Sequence, residues 1–334
     1  MSLSKAKKAA FILEASPESG MGHIYRSIEL ADKLLNKKVS SFFLCSGDYS
    51  LCEKISSVGY HFQPYSDELK LILQLNIYQP DVVIVDLPLF NNALLKKISD
   101  LFPVGTLGEP DDRGKQFIKF MVISAAGNKP ENTAFKTNGL EVLSGPKYAI
   151  LRDEFITKRN QYRFPENSCP KSILLTFGGS DPSGLTVKFL KMIKDSFHGN
   201  ITVITGRGFL HMQELEKLIS DMDIKGFSGI KILKDVKYMA KLMLQHELIV
   251  CSPGVTLFEA YCLGMPAIAI TQNETQAGDF ANFSYIYELQ NIKNPEELIN
   301  LPFEQKDEYR DYIKKMDCGS GKNEITELIL GMTT

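Results

Sequence analysis

The feature that most constrains the fold is a glycine turn between a short apolar run and a helical pattern. Phe11-Ile12-Leu13 is followed by the segment Ser19–Arg26, which has the sequence Ser-Gly-Met-Gly-His-Ile-Tyr-Arg. Apolar residues then recur at steps of four, three and four, at Ile24, Ile28, Ala31 and Leu35. This pattern predicts a first strand, a tight turn and a first helix, which is how an α/β fold begins.

The same turn has the properties of a ligand site. Gly20 and Gly22 permit positive φ and a close approach of a ligand to the backbone. The first amides of the helix and its positive end then face whatever binds there. His23 lies at this end, which favours a neutral imidazole that can accept a proton at pH 7. Glycine turns and N-terminal histidines are also common structural features, so the turn alone does not establish a function.

Composition narrows the classes of protein. A chain of 334 residues is long enough for two domains. Its net charge of −2 implies no general affinity for nucleic acid or for an anionic membrane. The six cysteines show no CxxC pair and no metal-like spacing with histidine. We therefore expect no metal, no cofactor and a reducing, cytoplasmic environment.

No apolar stretch reaches the roughly 18 residues that a membrane span requires, so no span is expected. The sequence does not fix the oligomeric state, and a monomer is the simplest expectation.

Strand and helix signals alternate through the N-terminal half. Asp81–Asp86 is an apolar run that ends in a carboxylate, which is typical of a parallel strand buried on both faces. Val104–Leu107 and Phe120–Ser124 have the character of further strands. The alternation predicts a doubly wound parallel sheet, which binds its ligands at the carboxyl ends of the strands.

Two acidic features fall at those carboxyl ends. Asp86 can orient a sugar hydroxyl or a water, or it can cap the turn that follows the strand. The segment Glu109–Arg113 can contribute to a site, or it can be a solvated turn with a surface ion pair. We favour the surface turn for this segment.

A second α/β pattern follows in the C-terminal half. Ser144–Arg152 is predicted to be a turn and then a strand, and Lys158–Pro170 has the polar, proline-bearing character of a linker. The strand Ser172–Phe177 leads into Gly178-Gly179-Ser180-Asp181, and Pro182 is predicted to be the first helical residue. The glycine pair is either a second phosphate cradle or a tight turn with a capping aspartate.

Two later loops also follow strands. The strand Glu247–Cys251 leads into the turn Ser252–Glu259, where Glu259 can accept the two hydroxyls of a ribose. Thr256 and Glu259 equally fit a helix capping box, and the sequence leaves these two possibilities even. The strand Pro266–Ile270 leads into a loop with Asn273 and Glu274, whose amides suit sugar hydroxyls and acetamido groups. A plain polar loop would have the same composition.

Four separated motifs together carry a family resemblance. They are Gly20-x-Gly22-His23-x-x-Arg26, the segment Gly145–Phe155, Phe177–Asp181 and Ser252–Glu259. In this order they resemble the UDP-sugar hydrolases of the pseudaminic acid pathway (PseG) and the related spore-coat polysaccharide protein SpsG, over roughly residues 10 to 290.

The resemblance implies a GT-B fold like that of the lipid II glycosyltransferase MurG. Two Rossmann-like, doubly wound parallel-sheet domains would face each other across a cleft. The expected divisions are an N-terminal domain at 1–157, a linker at 158–170, a nucleotide-diphosphate-binding domain at 171–315, and a C-terminal helix within 316–334 that packs back on the first domain.

The resemblance also implies roles for residues. His23 would activate a water that attacks the anomeric carbon of a UDP-sugar, with inversion, and Asp86 and Asn273 would be the other catalytic residues. Substrate or nucleotide binding is implied for Gly20, Gly22, Tyr25, Arg26, Gly178, Gly179, Ser180, Asp181, Ser252, Gly254, Val255, Thr256, Glu259 and Glu274. No metal or cofactor is needed in this chemistry.

The chain departs from the family pattern in two places. Members usually carry Asp-His-Tyr where this chain has Asp86-Leu87-Pro88, and Asn273 is followed by Glu274 where glutamine is usual. These differences indicate a shifted or different sugar. A GT-B glycosyltransferase is one alternative, although no basic amphipathic stretch for a lipid acceptor is present. A non-catalytic sugar-nucleotide-binding protein is another, against which the retained His23 argues.

Overall fold

The computed structural model describes residues 6–16, 21–125, 131–166, 169–206, 208–224 and 229–333. These form two compact units, each built on a parallel sheet. The first unit contains the described residues up to Ser124, then Glu131–Arg152 and Ser320 onwards, and the second contains Asp153–Gly319. The prediction of two doubly wound α/β domains is confirmed. The boundaries expected from the sequence, with a linker at 158–170, stay a prediction.

The first unit is built on a sheet in which, among the described residues, eight strands pair in the order β3-β2-β1-β4-β5-β6-β8-β7. All neighbours are parallel except β7 and β8, which form an antiparallel hairpin. The strands are β1 (Lys7–Ala15), β2 (Val39–Gly47), β3 (Phe62–Pro64), β4 (Val82–Asp86), β5 (Val104–Leu107), β6 (Phe120–Ile123), β7 (Thr133–Thr137) and β8 (Leu140–Ser144). With labels that run along the whole chain, its helices are α1 (Gly22–Asn36), α2 (Tyr49–Ser57), α3 (Glu68–Tyr78), α4 (Asn92–Ser99) and α13 (Lys322–Met332).

The core of the first unit forms around the apolar runs of β1 and β4. All five residues of β4 are buried, as expected for a strand covered on both faces. The helix α1 buries Ile24, Ile28 and Ala31 as predicted. Leu35, in its last turn, is exposed, because Leu34 contacts the core there instead.

The second unit has a sheet in which, within the described ranges, six strands pair in parallel in the order β11-β10-β9-β12-β13-β14. The strands are β9 (Ser172–Thr176), β10 (Asn200–Thr205), β11 (Ile230–Lys234), β12 (Leu248–Cys251), β13 (Ala267–Ile270) and β14 (Ile286–Tyr287). The helices are α5 (Asp153–Ile156), α6 (Leu185–Ile193), α7 (Met212–Ile224), α8 (Met239–Met243), α9 (Val255–Leu263), α10 (Glu274–Asp279), α11 (Pro295–Glu304) and α12 (Lys306–Met316).

Two local predictions were wrong. The segment Ser144–Arg152 does not form the strand that was predicted after its turn. The strand β8 ends at Ser144, and a short 3-10 turn follows at Pro146–Tyr148. The helix after β9 begins at Leu185 rather than at Pro182. Its N-cap is Gly184, whose φ of 63° lies in the left-handed region, so the chain makes one more turn before the helix starts.

The helix α13 completes the core of the first unit. Its residues Ile325 and Ile329 are fully buried among residues of α1 and β1. Two ion pairs join this helix to neighbouring parts of the first unit. One has its partner, Glu29, in α1, and the other has its partner, Lys37, directly after α1. Lys322 Nζ is buried and lies 2.9 Å from Glu29, and it also donates to the carbonyl of Leu151 at 2.5 Å. Nearby, Lys37 pairs with Glu327 at 2.8 Å on the surface.

These two ion pairs give a matched test of burial. Lys322→Met is expected to lower the free energy of unfolding of the first unit by about 3 kcal/mol, because it removes the buried cation that faces Glu29. Lys37→Met, whose pair is 52% and 62% exposed, is expected to cost less than about 1 kcal/mol. Urea-dependent hydrogen exchange of peptides from β1 and α13 measures both values. Equal losses in the two variants would contradict the assignment of a buried pair.

Candidate active site

The first candidate cluster lies where the order of strands reverses in the first sheet. The strand β1 pairs with β2 on one side and with β4 on the other. Connections therefore leave this point in opposite directions and open a space at the carboxyl edge. Leu13 of β1 lies opposite Asp86, the last residue of β4. The helix α1 starts beside Asp86, and His23 and Arg26, three positions apart, share one face of its first turns.

Three side chains of α1 bind the carboxylate of Asp86, which is fully buried. His23 Nδ1 lies 2.5 Å from Oδ1. Arg26 donates from Nε to Oδ2 at 2.6 Å and from Nη2 to Oδ1. Ser27 donates to Oδ2 at 3.3 Å, and Arg26 Nη2 also donates to the carbonyl of Leu107 at 3.1 Å. Asp86 thus orients side chains of α1, and it is Asn91 that caps the helix after the next turn.

The charges of this cluster fix its protonation. Burial alone would raise the pKa of the Asp86 carboxyl, but the charges and hydrogen bonds of Arg26 and His23 lower it to about 2. Burial also opposes the charge of Arg26, yet the charge and hydrogen bonds of Asp86 raise the pKa of the guanidinium. Asp86 is therefore a carboxylate at pH 7, and a carboxylate only accepts hydrogen bonds.

The contact of 2.5 Å between Nδ1 of His23 and this carboxylate therefore requires a proton on Nδ1. Arg26 Nη2 also lies 3.0 Å from Nδ1, but a protonated Nδ1 does not accept a hydrogen bond from it. In the neutral imidazole this leaves Nε2 as the acceptor atom. The side chain of His23 is 17% exposed, so part of it can be reached from solvent. The arrangement can take a proton from a water or a hydroxyl at Nε2, with Asp86 holding the ring.

Other predicted residues of this cluster have different surroundings. Gly20 lies outside the described residues, and Gly22 is the first residue of α1. Two cations lie over the ring of Tyr25: Arg152 Cζ is 5.5 Å and Lys54 Nζ is 5.8 Å from its centroid. The expectation that these residues contact a substrate stays a prediction.

The segment Glu109–Arg113 is the surface turn that the sequence favoured. Asp111 accepts hydrogen bonds from the backbone amides of Arg113 at 3.0 Å and of Gly114 at 2.8 Å. Lys115 pairs with Glu109 at 2.7 Å and with Asp112 at 3.0 Å. These contacts are of the kind that stabilise an exposed loop.

The second candidate cluster lies in the second unit, after the adjacent strands β9, β12 and β13. After β9, Gly178 (φ 82°) and Gly179 have open space where a side chain would stand. Ser180 and Asp181 are buried. The two oxygens of Asp181 accept, at 2.8 Å each, from the amides of the first two residues of α6. Asp181 thus accepts hydrogen bonds from the start of α6, while Gly184 is the N-cap residue of this helix.

The turn after β12 excludes the capping box considered for Glu259. The N-cap of α9 is Gly254, at φ 143°, and no side chain of the described residues caps this helix. Val255 is its first residue and Thr256 its second, so Thr256 does not stand where a capping box requires it. Glu259 is buried one turn into the helix. Its predicted contact with ribose remains a prediction, with the competing assignment removed.

The loop after β13 presents its two predicted residues at the surface. Asn273 and Glu274 are exposed, and Asn273 Oδ1 accepts from the amide of Gln276 at 2.9 Å, which caps α10. Gln272 and Gln276 instead make hydrogen bonds to the loops after β9 and β12. Neither glutamine was predicted from the sequence as a site residue. The amide-rich composition of the loop was the signal available for finding them.

Within the parts of the chain that the structure describes, no group of three or more His, Cys, Asp or Glu side chains is placed to hold a metal ion. The same described ranges contain no helix whose length and hydropathy would let it cross a membrane.

Comparison with known sequences identifies two relatives, although no protein-family model matches the chain. The uncharacterized protein MJ1062 of Methanocaldococcus jannaschii is 34% identical over 275 residues, which cover 80% of this chain and 56% of that protein. The chain thus spans little more than half the length of this relative. The spore coat polysaccharide biosynthesis protein SpsG of Bacillus subtilis is 24% identical over 276 residues, covering 80% of this chain and 78% of SpsG.

Comparison with solved structures establishes the fold class. MurG of Acinetobacter baumannii aligns with a TM-score of 0.59, and the glycosyltransferase VinC in complex with DTDP with 0.60. The UDP-GlcNAc 2-epimerase of Neisseria meningitidis, bound to UDP-GlcNAc, aligns with 0.58. Each is 14% identical and covers 97% of this chain and 99% of its own. The chain therefore has the GT-B fold, as the resemblance in its sequence implied.

The charge of Asp86 makes the stability of the first unit depend on pH. Its pKa is lowered from the ordinary 3.8 to about 2, so its stabilising effect is complete above pH 4 and disappears as the pH falls towards 2. This loss amounts to about 2 kcal/mol. Asp86→Asn is expected to lower stability at pH 7 by at least about 2 kcal/mol, since Arg26 loses its counter-charge, and to remove this part of the acid dependence. Urea unfolding at pH 7 and pH 3 measures both effects.

The matched control for this prediction is Asp112→Asn, because that carboxylate is 96% exposed. We expect the control to keep both the stability and the acid dependence of the wild type. An unchanged acid dependence in Asp86→Asn would show that folding does not lower the pKa of Asp86.

Proposed function

We propose that the chain hydrolyses a nucleotide sugar, releasing UDP from a UDP-linked acetamido-deoxy or diacetamido-deoxy sugar. The observation that carries this proposal is the contact of 2.5 Å between His23 Nδ1 and the buried carboxylate of Asp86. An imidazole held in this tautomer presents Nε2 as a base. Arg26 fixes the carboxylate that orients the imidazole, so the geometry suits removal of a proton from a water molecule.

In the proposed reaction His23 Nε2 takes a proton from a water molecule whose oxygen attacks the anomeric carbon. A bond forms between this oxygen and the carbon, and the bond from the carbon to the phosphate oxygen breaks. The electron pair of the broken bond leaves with UDP, and attack from the opposite side inverts the configuration. Asp86 stabilises the imidazolium, because its low pKa keeps it ionised throughout.

The second cluster supplies the groups that suit a nucleoside diphosphate. The amides at the uncapped start of α9 and the loop at Gly178 and Gly179 would receive phosphate oxygens. Gly178, Gly179 and Gly254 leave the space that such an approach needs. Glu259 would accept the ribose hydroxyls. The exposed residues Asn273 and Glu274 would act on the sugar or its acetamido groups.

The relatives support a place in glycan synthesis. SpsG is named for spore coat polysaccharide biosynthesis, and the epimerase of the same fold was solved with UDP-GlcNAc bound. We accordingly propose that the product enters the synthesis of a nonulosonic acid of the pseudaminic type or of a surface polysaccharide.

A glycosyltransferase is the second candidate, and the likeness to the fold of the glycosyltransferase VinC favours it. The same histidine and aspartate would then deprotonate a hydroxyl of an acceptor instead of a water. The two functions differ in whether UDP is released when water is the only acceptor.

The deciding experiment follows UDP release from a panel of UDP-linked acetamido sugars in H₂¹⁸O without an added acceptor. The proposal requires ¹⁸O in the C1 hydroxyl of the free sugar and none in UDP, measured by mass spectrometry, with NMR giving the anomer released first. Heavy oxygen in UDP would place the attack at phosphorus and contradict the mechanism. Release only after an alcohol is added would support the transferase. Binding of UDP without turnover of any sugar would indicate a non-catalytic protein.

Removal of the base gives a sharp prediction. His23→Asn is expected to lower the turnover rate by about 10²- to 10⁴-fold, because the proton of the attacking water loses its acceptor. The affinity for UDP, measured by titration calorimetry, should change little. The control is His61→Asn, since His61 is an exposed histidine of the same unit. Normal turnover in His23→Asn would overturn the proposed role.

Glu259 is expected to act in binding. Glu259→Gln should weaken the affinity for UDP by at least about tenfold, because hydrogen bonds from hydroxyls to a charged carboxylate are lost. Uridine monophosphate should lose a similar factor, since the ribose is common to both ligands. Glu296→Gln, on the surface of the same unit, serves as the control. Intact affinity combined with lower stability would mean that Glu259 is structural.

A further inference from the structure

One side chain joins the loops that form the carboxyl edge of the second sheet. Gln272 Nε2 donates to the carbonyl oxygen of Phe177 at 2.8 Å and to Ser252 Oγ at 2.7 Å. Phe177 is the residue after β9, and Ser252 is the residue after β12. The single amide group of Gln272 therefore connects the loop after β13 to the loops after β9 and β12.

The backbone of Gln272 extends the same network. Ser183 Oγ donates to the carbonyl of Gln272 at 2.8 Å, and the amide of Gln272 donates to Gln276 Oε1 at 2.9 Å. Gln276 Nε2 in turn donates to the carbonyl of Pro253 at 3.3 Å. With the two bonds of the Gln272 carboxamide, the network has five hydrogen bonds, and the four that do not join Gln272 to Gln276 connect different loops.

The anchored residues lie one or two positions before the glycines that face open space. Phe177 precedes Gly178 and Gly179, and Ser252 lies two residues before Gly254. Glycines with positive φ bring conformational freedom that must be restricted before their amides can bind a ligand in a fixed geometry. The hydrogen bonds of Gln272 restrict that freedom, because Phe177 and Ser252 lie between the strands and these glycines.

The carboxamide of Gln272 itself faces the protein. Its Oε1 is buried and has no hydrogen-bond partner among the described residues. The effect of this side chain on a ligand is therefore exerted through the loops that it holds.

We propose that Gln272 is a positioning residue, which sets the spacing between the amides at Gly178 and Gly179 and the start of α9 so that both can bind one diphosphate. The identity of the ligand rests on the proposed function above. The coupling of the loops does not, so the two can be tested separately.

The experiment compares Gln272→Ala with Gln272→Met, since methionine fills nearly the same volume but has no strong donor. Two quantities are measured on the full chain: hydrogen exchange of peptides covering 177–183 and 252–256, and the affinity for UDP by titration calorimetry. The matched controls are Gln290→Ala and Gln290→Met, because Gln290 belongs to the same unit and contacts Glu288 on the surface.

If the donor group of Gln272 holds the loops, Gln272→Ala and Gln272→Met show equally faster loop exchange and an equal loss of affinity for UDP. Exchange in both loops should accelerate by at least about tenfold, and the affinity for UDP should fall by about tenfold, as expected for the loss of two hydrogen bonds. If Gln272 only fills space, methionine restores wild-type exchange and affinity, and the proposal is overturned. Unchanged exchange in both variants overturns it as well.

Two further arms keep the outcome interpretable. Ser252→Ala removes only one acceptor and should accelerate exchange in the same loops by a smaller factor, which covers the case in which Gln272 variants do not fold. A wild-type chain that binds no UDP, with faster loop exchange in Gln272→Met, would defeat the proposed function and leave the positioning role intact.

Discussion

The first unit depends on one negative charge held out of water. Asp86 is fully buried at the end of β4, where an unpaired carboxylate would be strongly unfavourable. The bidentate contact of Arg26 and the donor of His23 offset this cost and keep the carboxylate ionised. Because both partners lie in the first turns of α1, the same contacts fix the start of this helix against the sheet. The tautomer of His23 is thus a consequence of how the charge is accommodated.

Each unit places candidate site groups at the point where its strand order reverses, but the two sets of groups differ in chemistry. In each sheet the first strand of the unit lies between the second and the fourth, so the loops after the first and the fourth strands meet at the carboxyl edge. The first unit places a carboxylate, an imidazole and a guanidinium there. The second unit places glycines, the uncapped start of α9 and the amide network of Gln272. One arrangement suits proton transfer, and the other suits the binding of phosphate through the backbone.

Much of the fold could be predicted because buried parallel strands are continuous apolar runs, as in Val82–Asp86, and because glycine turns mark the strand ends. The sequence also predicted that His23 and Asp86 share an edge. It could not show that Arg26 binds Asp86, since that contact joins residues 60 positions apart and depends on the pairing of β1 with β4. In the structure Arg26 binds this carboxylate, and its expected contact with a substrate stays a prediction. The helix start expected at Pro182 was wrong because Gly184 can serve as the N-cap at positive φ, which outweighs the local signal of the proline.

The sequence resemblance would place His-Tyr after Asp86, where this chain has Leu87 and Pro88, and the contacts of Asp86 bear on this difference. The hydrogen bonds of Asp86 run to α1, and Arg26 is braced by the carbonyl of Leu107 on β5. Leu87 and Pro88 take no part in these bonds. Having Leu-Pro at this point therefore leaves the contacts among Asp86, His23 and Arg26 in place. Under the proposed function, this difference would bear on which sugar is accepted, because the groups that would activate water do not depend on Leu87 or Pro88.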